Sequence, residues 1–93
     1  MRLANKIAII TGGGSGIGQA SAEAFCREGA NVVLFGRRKQ KLEETAKKLG
    51  SQALVVQGDM TRGEDLDRLV QETQSKFHRI DILVNNAGLF KGA

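Results

Sequence analysis

The stretch best suited to chemistry is Thr11-Gly12-Gly13-Gly14-Ser15-Gly16-Ile17-Gly18. It joins an apolar run of strand length to an amphipathic run, so it reads as a glycine-rich turn that opens a helix. Such a turn presents unpaired backbone N–H groups and the positive end of the helix dipole, which together suit a pyrophosphate. Glycine is needed there because a Cβ would block the turn, the ligand's approach or the packing of helix on strand. Gly12, Gly16 and Gly18 follow the spacing G-x-x-x-G-x-G, which in no frame is the standard dinucleotide fingerprint G-x-G-x-x-G. A merely flexible connection would not need so many glycines in one turn.

Other candidates need more weighing. Arg37-Arg38-Lys39-Gln40-Lys41, with a net charge of +4, invites a nucleic-acid reading. No aromatic side chains interleave with these charges and no binding motif is present, so the run reads as a solvated helix start. Asp59 after Gly58 has the look of a helix N-cap. Thr61 and Glu64 already supply a capping box, which leaves Asp59 available for a ligand. Asn85 and Asn86 can tie adjacent strand ends together by side-chain hydrogen bonds. Cys26 has no partner for a disulfide or a metal site and reads as core or near-core packing in a reducing, cytoplasmic compartment. His78 complements the negative end of a helix and is assigned no chemistry.

The elements that position these residues alternate regularly. Strand one is Lys6–Thr11, and helix one follows with an apolar face of Ile17, Ala20, Ala24 and Phe25. Gly29 stands at a left-handed C-cap. Val32–Phe35 is strand two, ended by Gly36. Helix two runs from about Arg38 to Leu49 on Leu42, Ala46 and Leu49, with Glu43/Lys47 and Glu44/Lys48 as outer pairs. Strand three is Ala53–Val56. Helix three buries Leu66, Leu69, Val70, Thr73 and Phe77, and Ile82–Val84 is strand four. Apolar strands alternating with helices mean a parallel sheet covered on both faces, and right-handed crossovers give the order 3-2-1-4. With 93 residues and 41% hydrophobic composition, the chain amounts to one small unit, 1–93, with a thin stability margin. Asn5 and Lys6 break the apolar run near the N-terminus, so no signal-peptide core forms, and no stretch approaches bilayer length.

Thr-Gly-x-x-x-Gly-Ile-Gly after an N-terminal strand resembles the short-chain dehydrogenase/reductase family. Asn85-Asn86-Ala87-Gly88 after strand four is similar to that family's NNAG motif. Both fall in the right order on the right elements, and the resemblance covers essentially the whole chain. It implies a Rossmann-like α/β fold, doubly wound, of which this chain is the cofactor-binding front part. It also implies that Gly12, Ser15, Gly16, Ile17 and Gly18 hold a pyrophosphate. By the same resemblance, the Asp59 carboxylate accepts the adenine amino group and the Met60 backbone meets the ring. Asn86, Ala87 and Gly88 lie at the switch point between strands one and four, where a cofactor ribose can rest against the backbone.

The residue ending strand two chooses the dinucleotide. An acid there holds the ribose 2′-OH of NAD, whereas an Arg accommodates the 2′-phosphate of NADP. Gly36 stands where NAD-type family members resemble one another in carrying Asp, and Arg37 and Arg38 follow. A guanidinium grips phosphate with two hydrogen bonds, so NADP(H) is expected ahead of NAD. Ser15 departs from the pattern, because many NADP-using members carry a basic residue in the loop.

The family's reaction resembles acid catalysis by a Tyr whose pKa is lowered by a Lys four residues on, with a Ser to position substrate. This chain contains no Tyr, so no catalytic residue is assigned within it. Three readings follow: the front portion of an oxidoreductase, a non-catalytic nucleotide-binding module, or a structural fragment that needs a complementing chain. Strand four is expected to be an apolar sheet edge, open to self-association or a complementing chain.

Overall fold

A computed structural model describes residues 2–12, 14 and 16–85. Its elements are β1 (Ile7–Thr11), α1 (Gly16–Arg27), β2 (Asn31–Gly36), α2 (Lys39–Leu49), a short 3-10 turn (Gly50–Gln52), β3 (Ala53–Gln57), α3 (Gly63–Phe77) and β4 (Ile82–Asn85). All pairings are parallel and the sheet order is β3-β2-β1-β4. Each strand lies within one residue of its expected span at either end. Every residue of β1 is buried, because β2 and β4 flank it and helices cover both its faces.

Alternation along the strands sorts the core into two layers. Ile7, Ile9, Val33, Phe35 and Val56 form one layer with Leu69 of α3. Ala8, Ile10, Val32 and Leu34 form the other with Ala22 of α1 and Leu42 of α2. Each fully buried Val, Leu, Ile or Phe contributes about 1.5–3 kcal/mol of transfer free energy. These two layers therefore carry the stability of the sheet.

The helices depart from their expected faces. α1 buries Gly18 and Ala22, with Phe25 and Cys26 partly covered, whereas Ile17, Ala20 and Ala24 face outward. The helix rests on the sheet through its smallest residues, which lets the two backbones approach closely, and the bulkier Ile17 is turned away. α3 buries Leu69 and Thr73 and half-buries Leu66 and Phe77, but Val70 is 42% exposed. Among the described residues one helix covers that layer, and Val70 lies on the flank of its buried stripe. Neither Glu43/Lys47 nor Glu44/Lys48 closes to an ion pair; the helical pairs that form join Arg68 to Asp65 and Glu72. Exposed pairs of that kind contribute little in either case.

Helix ends are set by backbone geometry. Ala30 N–H donates to Phe25 O and Gly29 N–H to Cys26 O, with Gly29 at φ 94°, which is the Schellman arrangement that stops α1. His78 stops α3 in the left-handed conformation at φ 69°. Among the described residues no helix is long and apolar enough to cross a membrane, and no cluster of His, Cys, Asp or Glu could hold a metal ion.

Candidate functional site

The carboxyl ends of the strands meet at one side of the sheet, and each is tied to its neighbour there. The Thr11 hydroxyl donates to Asn85 Oδ1 at 2.9 Å and lies 3.3 Å from Val84 O, bridging β1 to β4. Asn85 thus ties strand ends together, as its position suggested. Gly12 N–H donates to Phe35 O at 2.9 Å, and Gly58 N–H to Gly36 O at 2.8 Å. Beyond these ties opens a cleft of about 460 Å³, lined by Gly12 and Gly14 from the first turn, Gly36 to Arg38 after β2, Leu42 of α2, and Gly58 to Thr61 after β3.

The loop glycines serve different needs. Gly12 has φ 70°, which favours glycine. A Cβ on Gly14 would come within 3.0 Å of Lys41 Cβ, so the loop leans closely on the start of α2. Gly18 is buried against the sheet. Gly16 is exposed, and among the described residues a Cβ built there meets nothing within 4 Å beyond its chain neighbours and its own helix backbone. Ile17 beside it is 48% exposed. Gly16, Ile17 and Gly18 form the first turn of α1 and do not line the cleft itself. Ser15, Asn86, Ala87 and Gly88 lie outside the described residues.

Arg37 and Arg38 are exposed at the cleft's rim, and neither has an ion-pair partner among the described residues. The Arg37 carbonyl accepts a hydrogen bond from Gln57 Nε2 at 3.1 Å, which steadies the backbone behind its side chain. Two cations thus line the cleft without a direct carboxylate contact among the described residues.

The expected capping box does not form. The residue before α3 is Arg62, with no side-chain cap, and the Thr61 hydroxyl turns back to donate to Asp59 Oδ1 at 2.7 Å. Thr61 N–H donates to the same oxygen at 2.8 Å. Asp59 lies two residues upstream and offers a charged acceptor to a hydroxyl that would otherwise reach into the helix. Asp59 is therefore engaged through one oxygen. The two Thr61 hydrogen bonds, aided by the charges of Arg37 and Arg62, hold its carboxyl below the usual carboxylate range. It is ionised at neutral pH, with the carboxylate exposed at the cleft. Met60 packs partly buried against the core layer beneath α3 and also lines the cleft.

Sequence reasoning missed Asp65, whose Oδ2 accepts Asp59 N–H at 2.8 Å. The available signal was an acid in the first turn of α3, but attention fell on Glu64, which instead pairs with Arg62 at the surface. Cys26 packs beside the layer under α1, and burial pushes its thiol's pKa up, away from the reactive thiolate.

A family model described as short chain dehydrogenase matches residues 6–93. An oxidoreductase of Sarocladium schorii is 46% identical over 87 residues, covering 94% of this chain and 35% of that protein. A short chain dehydrogenase from Bacillus anthracis superposes with a TM-score of 0.86 at 44% identity, over 90% of this chain and 35% of that one. The 3-ketoacyl-(acyl-carrier-protein) reductase of Brucella melitensis, complexed with NADH, gives 0.85 at 42% identity, over 87% of this chain and 33% of that one. The chain thus spans about a third of the length of the relatives it matches.

Proposed function

We propose, from the premise that this chain belongs to the short-chain dehydrogenase family, that it is the NADP(H)-binding front portion of an oxidoreductase. Its residues 1–93 act as one dinucleotide-binding unit. The reaction of the whole enzyme is hydride transfer between nicotinamide and a carbonyl or alcohol, with the catalytic Ser and Tyr-x-x-x-Lys supplied from outside these residues. Its single, partly buried thiol suits a reducing cytoplasm.

The residues fit that cofactor. Gly16 leaves open space among the described residues at the N-terminus of α1, where a pyrophosphate can meet the backbone of Gly16, Ile17 and Gly18; the family resemblance adds Gly12 and Ser15 to that set. By the family resemblance, Asp59 and Met60 are assigned to the adenine, and Asn86, Ala87 and Gly88 to the ribose next to nicotinamide. When bound, the cofactor supplies the hydride; this chain's residues bind and orient it. The observation that carries the choice of NADP is that Arg37 and Arg38 stand at the cleft rim without ion-pair partners among the described residues, directly after Gly36.

Isothermal titration with both dinucleotides tests the reading. NADP binds more tightly than NAD, and Arg37→Ala removes most of the difference. Each of the two lost charge-assisted hydrogen bonds is worth about 1.5–3 kcal/mol, so the preference falls by roughly a hundredfold or more. Equal affinity of the unmutated chain for the two cofactors would sink the assignment.

The 93-residue chain also associates with itself or a complementing chain through β4. This strand is the outer one on its side among the described residues, and Leu83 is 63% exposed on it. An apolar outer strand without proline or inward charge is a template for another strand. Light scattering over a range of concentrations shows a rising mass for the unmutated chain and a constant, monomeric mass for Leu83→Lys. A monomer at every concentration, indifferent to the lysine, overturns this.

A further inference from the structure

The turn between β3 and α3 is fastened by several backbone ties of its own. Gly58 N–H reaches Gly36 O, Arg62 N–H reaches Asp59 O at 3.0 Å, and Thr61 closes on Asp59 Oδ1. One further tie comes from the helix beneath. Asp65, with its side chain 17% exposed, accepts Asp59 N–H on Oδ2 at 2.8 Å. Its Oδ1 is held by Arg68 Nη1 at 3.2 Å, and Arg68 in turn donates to the Gln57 carbonyl and pairs with Glu72 at 3.4 Å. The acceptor beneath Asp59 is thus itself anchored to the end of β3 and to α3.

The consequence lies in which atom of Asp59 is left over. Oδ1 already accepts two hydrogen bonds from Thr61, and Oδ2 accepts none among the described residues. With the backbone N–H fixed by Asp65 and one oxygen fixed by Thr61, the direction of Oδ2 is set before any ligand arrives. The packing tolerates little drift, because a Cβ on the preceding Gly58 would lie 3.0 Å from Asp65 Cβ.

We propose that Asp65 is a positioning residue for base recognition: through the Asp59 N–H it aims Asp59 Oδ2 at the exocyclic amino group of adenine. This rests on the dinucleotide reading above. A role confined to tying down the helix start would change stability and leave base preference alone.

The probes are adenosine 2′,5′-bisphosphate and inosine 2′,5′-bisphosphate, in which an oxygen replaces the amino group. Titrated into the 93-residue chain, the adenine compound binds more tightly by roughly tenfold or more, the worth of one hydrogen bond to a charged group. Asp59→Ala abolishes that preference. Asp65→Ala removes most of it, whereas Asp65→Asn, whose amide oxygen still accepts the Asp59 N–H, preserves it. Arg68→Ala also preserves it, since the hydrogen bond to Asp59 N–H survives. Asp65→Glu keeps the charge but displaces the acceptor by a methylene. It lowers the preference partway and supplies the comparison if the alanine variant does not fold. Full preference in both Asp65→Ala and Asp65→Glu overturns the inference alone. No binding of the adenine compound by the unmutated chain overturns the dinucleotide reading and the inference with it. Equal binding of the two compounds overturns the part given to Asp59 and Asp65 while sparing the phosphate contacts.

Discussion

Replacing Gly16 with alanine is expected to abolish most dinucleotide binding while leaving the fold intact or slightly more stable. Among the described residues, a Cβ at this position meets no atom within 4 Å beyond its chain neighbours and its own helix backbone, so the packing around it gives no reason for glycine. On helix propensity alone, alanine would gain about 0.5–1 kcal/mol over glycine in a helix. That gain raises the thermal midpoint of a domain this size by no more than roughly 8 °C. The methyl group would instead stand where a pyrophosphate must approach the N–H groups of α1. Losing two charge-assisted hydrogen bonds costs about 3–6 kcal/mol, or roughly a hundredfold to ten-thousandfold in affinity. Thermal melts and titration of the same samples check both halves. Unchanged affinity would move the pyrophosphate away from this helix, and a collapsed midpoint would reveal packing at Gly16 that the open space contradicts.

Gly58→Ala is expected to do the opposite, lowering the stability of the fold itself while the chain stays mostly folded in water. Its Cβ would sit 2.6 and 2.8 Å from the Cε1 and Cζ atoms of Phe35. Phe35 is fully buried in the layer beneath α3, so the ring has nowhere to retreat. Overpacking of a tight core costs about 1–3 kcal/mol and sometimes more. Against the total stability of about 5–14 kcal/mol expected for a chain of this length, that is a large fraction. The urea midpoint falls with little change in slope. Because the cost lies in a single contact, Phe35→Leu combined with Gly58→Ala recovers part of it, although Phe35→Leu alone is destabilising. Such non-additivity is the signature of direct contact. A midpoint unmoved by Gly58→Ala, or strictly additive variants, would show that the turn after β3 gives way.

The strands were legible because each is an apolar run of strand length, and β1 and β2 are indeed buried on both faces. Ile7–Thr11 and Val32–Phe35 leave no other reading, and the order 3-2-1-4 follows from crossover handedness. The face of α1 was not legible. Hydrophobic weight favoured Ile17, whereas close approach to the sheet favoured Gly18 and Ala22, and residue-level hydrophobicity is blind to how near two backbones come. Thr61 and Glu64 fit the spacing of a capping box but carry no information about a competing acceptor. Asp59 lies two residues upstream and captures the Thr61 hydroxyl. Of the residues named from sequence, Gly12, Arg37, Arg38, Asp59 and Met60 line the cleft, whereas Gly16, Ile17 and Gly18 do not. What was hidden is the layer beneath them, where Asp65 and Arg68 act through hydrogen bonds between elements and no linear motif marks them.

The parallel pairing of β1 with both β2 and β4 also bears on how the chain assembles itself. Ile7 meets Asn31 on one side, whereas Ala8 meets Ile82 on the other, so the second pairing closes a loop about three times longer. Closure entropy makes that step costlier by about 1 kcal/mol before any contact repays it. The β3-β2-β1 part of the sheet can therefore form from nearer neighbours, and β4 is expected to join last. The Thr11–Asn85 bridge and the Ile7 N–H to Asp81 hydrogen bond, at 2.9 Å, belong to that late event. The switch point between β1 and β4 comes into being only when that strand docks, whereas the described lining of the cleft comes from the ends of β1, β2 and β3 and from α2, and needs no residue of β4.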